Sequence, residues 1–203
     1  MYEIDSVELS AAIAGCMPSM SDDPTRDAMY GMLLEVGAQA RLVATDGHTL
    51  AIWTFDTPGV GAPRGFGVLL PYRTVHLIAY MLRSDAGVVK VGPDVCRMAS
   101  GNGIVIPPPC AQYPAFDNAL RLHEEEKKQP IRVAEIRFDQ AKMRAIIGSY
   151  SAAYSKWWPQ RRFRKSSLSV NISMGKCPRS MVAFTSIELP KLIIYAMPMA
   201  PKE

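Results

Sequence analysis

Asp46-Gly47-His48 places a carboxylate and an imidazole two residues apart, the kind of pair that serves as a base and its orienting partner in proton transfer. An acyl-transfer reaction would also need a nucleophile. The chain has no Gly-x-Ser-x-Gly turn, and Cys16, Cys96, Cys110 and Cys177 stand in no nucleophile-like context with a His. A structural zinc would ask for closely spaced ligands, whereas these cysteines are widely separated and the histidines are only His48, His76 and His123. No catalytic residue, metal ligand set or cofactor is therefore assigned, and the thiols read as buried and reduced. The simpler chemistry of Asp46-Gly47 is that of a turn. Between the β-prone runs RLVAT and TLAIW, Asp-Gly predicts a two-residue type I′ hairpin flanked by Thr45 and His48.

A second group of residues has the chemistry of phosphate contact. Arg73, His76 and Arg83 fall on one face of an expected helix, opposite its Ile78/Leu82 stripe, and Lys142 and Arg144 flank the apolar face of another. The densest stretch runs from Lys156-Trp157-Trp158 to Arg161, Arg162, Phe163, Arg164 and Lys165. Its aromatics either stack on bases or pack on the protein with the guanidinium groups solvated. Two adjacent Trp are costly to leave in water, which favours packing. A net charge of +4 permits nucleic-acid contact without demanding it.

The elements that must position these residues recur in one order. YEI is a strand, and Asp5-x-x-Glu8 opens a capping-box helix with Leu9, Ile13 and Met17 on its apolar face. SDDPTRD ends it, and strands follow at GMLLEV, ARLVAT and HTLAIWTF. Next, GVLL is a strand and Pro71 suits the first turn of the helix YRTVHLIAYMLRS, followed by short strands at VVKVG, VCRMAS and GIVIPPP. Last, IRVAEIRF alternates as a strand does, and Asp139 caps a helix carrying Met143, Ile147, Tyr150 and Tyr154. LSVNISM, SMVAFTSI and LIIYAMPM follow as strands. The chain thus reads three times as strand, helix, three strands, an α+β repeat of architecture rather than of residues. The charged ALRLHEEEKKQP reads as a connector, giving units at 1–123 and 124–203.

Hydrophobic residues at 48% and charged residues at 21% are those of an ordinary globular protein. No apolar run approaches the roughly 20 residues that span a bilayer. The acidic start MYEIDSVELS lacks the features of a signal peptide, so no membrane partner and a cytoplasmic location are expected.

The stretch around the turn carries a resemblance. RLVATDGHTLAIW is similar to the L-x-x-V-A-T-D-G-H-R-L-A marker of the bacterial DNA polymerase III beta subunit, the sliding clamp. RDAMYGMLLEV, VLLPYRTVHLIAYML, QYPAFDNAL and the tail IIYAMPMAP resemble four further family motifs in matching order. The resemblance is continuous over residues 1 to about 120 and looser beyond. It implies a clamp fold with three half-repeats instead of the family's six: a domain like the middle one, then half a domain like the end of the third. It also implies a non-enzymatic replication or repair factor, with ring-lining helices that meet double-stranded DNA through its phosphates.

The resemblance further implies a hydrophobic pocket for short linear motifs of polymerases or repair proteins. Thr45, Gly47, His48 and Leu50 would form one wall and Met197, Pro198 and Met199 the other, with Leu120 contributing. Thr49 and Ala200 stand where the family has Arg, removing two cations. A missing half-domain implies a homo-oligomer, either four chains completing a ring or two whose third units pair. A clamp mimic that competes for the same peptides, and a free-standing nucleic-acid-binding protein using the 156–165 loop, are the alternative readings.

Overall fold

A computed structural model describes residues 1–37, 39–56, 66–109, 111–118, 120, 121, 125, 140–157, 170–174, 182–186 and 189–196. The first unit contains β1 (Tyr2–Asp5), α1 (Ser6–Cys16), a 3-10 turn (Met17–Ser19), β2 (Gly31–Val36), β3 (Ala40–Thr45) and β4 (Thr49–Thr54). The second contains β5 (Phe66–Pro71), α2 (Tyr72–Met81), β6 (Val88–Val91), β7 (Val95–Arg97) and β8 (Gly103–Val105). The third contains α3 (Gln140–Trp157), β9 (Val170–Met174), β10 (Val182–Ser186) and β11 (Leu192–Ala196). The architecture is α+β, as expected. The predicted strand IRVAEIRF, its cap Asp139 and the boundary at 123 lie outside the described residues.

The sheets do not follow the sequence units. One runs β1-β6-β7-β8 and the other β5-β2-β3-β4-β11-β10-β9, with antiparallel pairing throughout. Each of the first two units gives its opening strand to the other: β1 pairs with β6, and β5 pairs with β2. The reason is local. Asp5 is both the last residue of β1 and the N-cap of α1, and Pro71 is both the last residue of β5 and the N-cap of α2. With no loop between strand and helix, the strand cannot turn back to its own sheet.

In the larger sheet, alternate residues face two cores. Leu42, Ala44, Ala51, Trp53, Phe184, Leu192 and Ile194 join the core beneath the helices. Val43, Leu50, Ile52, Ala183 and Tyr195 form a second cluster on the opposite face, covered by Phe116 and, partly buried, Tyr113 and Leu120. Burial on both faces explains why β3 and β4 read as nearly continuous apolar runs.

Helix α1 is buried on most of its circumference because it lies between the sheet and α3. A Cβ at Gly15 would come within 2.9 Å of Leu192 Cδ2 and 3.1 Å of Ala153 Cβ, so a glycine lets the two helices approach. The Asp5 cap is as predicted, its Oδ1 accepting from Val7 N and Glu8 N at 2.9 and 3.1 Å. The other half of the capping box is absent. Glu8, 5% exposed, turns inward and accepts from Lys191 Nζ at 2.8 Å; Lys191 also pairs with Asp56. A buried carboxylate needs a charged partner more than a backbone N–H.

Three further expectations are corrected. Pro71, at φ −61° and ψ 156°, is the N-cap of α2 and not a first-turn residue. Helix α2 ends at Met81 with Leu82 as C-cap, so Arg83 sits in the following turn and does not share a helical face with Arg73 and His76. On α3 the buried stripe is Ile146, Ser149, Tyr150 and Ala153, while Ile147 is 53% exposed. Tyr150 sets that rotation, since its buried hydroxyl donates to the carbonyl of Phe184 and lies 3.2 Å from that of Leu192. The side chains of Met143 and Tyr154 lie outside the described residues. Cys16 and Cys96 are free and buried, as expected; Cys110 and Cys177 lie outside the described residues. Among the described residues no helix is long and apolar enough to cross a membrane.

Two outcomes follow. Removing the cation in Lys191→Ala strands the Glu8 carboxylate, and urea unfolding should show a loss of about 3 kcal/mol. Burial pushes the phenols of Tyr113 and Tyr150 above their ordinary value of 10, so the fold favours their neutral forms. Their contribution is complete below pH 10, where the unfolded chain is also protonated, and is lost as pH rises beyond it. The urea midpoint should therefore fall above pH 10, and less so in Tyr150→Phe than in the parent.

Candidate functional site

Three residues, Asp46, Gly47 and His48, connect β3 to β4, and the last register pair is Thr45↔Leu50. The predicted hairpin is present, but its turn is longer than two residues, and Thr45 and His48 do not flank it as a bonded pair. The Asp46 side chain is the cause. Its Oδ1 accepts from His48 N at 2.8 Å, Thr49 N at 2.6 Å and Thr49 Oγ1 at 3.0 Å, a side-chain-centred turn that replaces a backbone-centred one. Gly47 takes φ +85°, the left-handed region that its lack of Cβ allows. Thr45 Oγ1 donates to Thr49 O at 2.7 Å and accepts from Gly47 N at 3.1 Å, and Arg26 Nη1 donates to Asp46 O at 2.9 Å. The carboxylate thus bonds the backbone of His48 and is committed to the turn. Among the described residues no group of three or more His, Cys, Asp or Glu is placed to hold a metal.

Beside this turn lies a cavity of about 190 Å³. Thr45, Gly47, His48, Thr49 and Leu50 form one side, Pro114, Ala115 and Phe116 another, and Met29 and Tyr195 complete it. The structure therefore gathers the predicted Thr45, Gly47, His48 and Leu50 around one concavity. Leu120 packs into the cluster with Leu50 and Phe116 and does not line the cavity itself. Met197, Pro198 and Met199 lie outside the described residues; Ala196, just before them, is paired with Thr49, and Tyr195 with Leu50. His48 and Asp46 also border a larger, more polar cleft of about 680 Å³ whose rim carries Asp22, Asp23, Arg26 and His76.

Sequence reasoning missed Met29, Pro114, Ala115, Phe116 and Tyr195. The QYPAFDNAL motif contained three of them, but nothing in the sequence showed that this segment lies across β3. Arg41 holds it there. Paired with Glu35 on β2 (Nε to Oε2, 3.0 Å), its guanidinium lies 5.4 Å from the Phe116 ring centroid and 3.3 Å from Asp117 Oδ1. Tyr113 adds a bond from its hydroxyl to Val43 O at 3.3 Å.

The predicted DNA-contacting residues fall into two groups. Arg73, His76, Arg83, Arg144 and Lys156 are exposed. His76 leans on Tyr72 at 4.4 Å between ring centroids, and Arg83 lies over Tyr80 at 5.8 Å. Arg83 and Lys156 border one groove with Ser6, Val7 and Ser10 of α1, so the end of α3 and the turn after α2 bring two cations together. The side chain of Lys142, and all of Arg161, Arg162, Arg164 and Lys165, lie outside the described residues.

Residues 3–106, just over half of the chain, match the family model of the DNA polymerase III beta subunit, central domain. No curated protein matches the sequence. Among solved structures, the DNA polymerase III beta subunit of Thermotoga maritima superposes with a TM-score of 0.73 at 12% identity, covering 99% of this chain and 65% of that one. The Pseudomonas aeruginosa sliding clamp bound to griselimycin gives 0.70 at 16% identity, covering 98% and 65%. The Caulobacter crescentus beta sliding clamp gives 0.69 at 17% identity, also covering 98% and 65%. The chain spans less than two thirds of these relatives, and at such identities the likeness is one of fold.

If Arg41 anchors the far wall of the cavity, Arg41→Ala should release it. Amide hydrogen exchange in 113–118 should accelerate at least tenfold while that of β3 and β4 stays slow; unchanged exchange in 113–118 would show that Arg41 does not hold this wall.

Proposed function

This chain belongs to the DNA polymerase III beta subunit family, and from that premise we propose that it is a non-enzymatic, clamp-like accessory factor of DNA replication or repair. It works by seizing short linear peptides of polymerases or repair proteins in the cavity beside the 46–48 turn. The observation that carries this reading is the meeting of Thr45, Gly47, His48 and Leu50 with Phe116 and Tyr195 around one concavity. Small concave sites lined by apolar groups with a few fixed polar ones suit a peptide anchored by one or two apolar side chains. In this reading Met197, Pro198 and Met199, which follow Ala196 in the chain, would supply the second wall, with thioether side chains adaptable to several partners.

The departures from the family shape the partner. With Thr49 and Ala200 where the family has Arg, the site relies on apolar contact, and the Thr49 hydroxyl is already engaged by Asp46. A clamp and a clamp mimic would use this cavity in the same way and differ in whether DNA is retained. The juxtaposition of Arg83 and Lys156 favours a phosphate-contacting face as a second activity, non-specific in sequence and weakened by salt.

A fluorescent peptide with a Gln-x-x-Leu-Phe-type motif should bind saturably. Met199→Asp should abolish binding, and Ala115→Trp, at an exposed position on the cavity rim, should weaken it at least tenfold by filling the cavity without unfolding the chain. A titration that reaches millimolar peptide without saturating would sink the proposal.

A further inference from the structure

We infer that the peptide site continues over the 46–48 turn into the larger polar cleft, and that this cleft selects partners carrying an arginine beside their apolar anchor. The inference rests on the peptide reading above and adds what that reading leaves open, the charge of the residues flanking the anchor.

The turn is a partition between two concavities. His48 lines both the cavity of about 190 Å³ and the cleft of about 680 Å³, while Gly47 borders the first and Asp46 the second. The segment 26–29 is shared in the same way, with Met29 in the cavity and Arg26 in the cleft. The two segments are tied together. Met29 N donates to Arg26 O at 2.8 Å, and Arg26 Nη1 donates to Asp46 O at 2.9 Å. An extended chain advances about 3.3 Å per residue, so a peptide anchored in the cavity brings a neighbour over the cleft within about two or three residues.

What that neighbour meets is set by charge. Three carboxylates, those of Asp22, Asp23 and Asp46, line the cleft against one guanidinium, that of Arg26. The Arg26 group is already engaged, with Nη1 on the Asp46 carbonyl and Nε 3.6 Å from Asp23 Oδ2. Asp23 is held in place, since Thr25 N and Thr25 Oγ1 donate to its Oδ1 at 2.9 and 2.7 Å. Those bonds keep its carboxyl below the usual carboxylate range, so it is charged at neutral pH. The opening therefore carries an excess of fixed negative charge.

The rest of the cleft is apolar and ordered. Met17, Pro18 and the buried Met20 line it, and Tyr72 is stacked on Tyr30 at 4.6 Å between ring centroids, with His76 leaning on the same ring. A side chain with an apolar stem and a cationic head matches both features, laying its methylenes along the thioethers and its head against Asp22 and Asp23. Arginine suits this better than lysine, because its planar fork donates to two carboxylates at once. An acidic flank would meet like charge instead, which discriminates against the wrong partner.

The test uses the full chain and three fluorescent peptides that share a Leu-Phe anchor and differ only in its flanking residues, which are Arg, Gln or Glu. The Gln-flanked peptide reports the cavity alone and should bind saturably. At low ionic strength the Arg-flanked peptide should bind about tenfold more tightly than the Glu-flanked one. That ratio should shrink to about twofold in about 1 M salt, and equally in the Asp22→Asn, Asp23→Asn double variant. Equal affinities for the Arg and Glu peptides, with the Gln peptide bound, would overturn this inference and leave the cavity reading standing. A preference for Glu would overturn it too, by making Arg26 the recognising group, as would a preference for Arg that survives the double substitution. If none of the three peptides saturates, the peptide reading fails and this inference falls with it.

Discussion

When β11 pairs with β4, Leu192 falls opposite Trp53 and Ala196 opposite Thr49, and most of what is distinctive in this molecule follows from that register. It fuses the third unit to the first in one seven-stranded sheet. It lays α3 against α1, where Gly15 gives room for Ala153 and Leu192. On the opposite face it sets Tyr195 beside Leu50, which makes a cavity out of the end of a hairpin. The pairing also carries Lys191 to Glu8, joining residues 183 positions apart in the chain. The ion pair gives the register specificity, because a slip by one residue would leave the Glu8 carboxylate buried alone and exchange the two faces of β11.

The cavity is rigid where rigidity matters. Asp46 spends one carboxylate oxygen on three donors within its own turn, and Arg26 closes on the backbone of the same residue. Across the cavity, Arg41 fixes the 113–118 segment through a ring contact and an ion pair. Neither residue lines a reactive centre; both hold backbone in place. An apolar peptide side chain entering such a site would find walls already ordered, which lowers the entropic cost of binding.

Much of this was legible in the sequence because it depends on short-range chemistry. Asp5 caps as its type and position require, and the strands of the first two units appear where apolar alternation and Gly/Pro breaks put them. Asp46-Gly47 turns the chain as Asp-Gly does. The errors came where a distant partner outweighed a local preference. Glu8 left its capping role for Lys191, Tyr150 rotated α3 so that Ile146 and not Ile147 is buried, and the Asp46 side chain lengthened the turn. The far wall of the cavity was hidden for the same reason: no spacing rule links Arg41 to Phe116. The exchange of β1 and β5 between units was equally invisible, since a repeated order of elements does not say which sheet receives a strand.

The central claim is that the β4–β11 register builds a peptide site beside the 46–48 turn. Backbone amide shifts measured during titration with a clamp-motif peptide test it most directly. The account predicts that the amides of Thr45, Gly47, His48, Leu50, Phe116 and Tyr195 move together along one saturable curve while those of α2 and the exposed face of α3 stay still. Movement confined to the helices, with the hairpin end and Tyr195 unaffected, would contradict it.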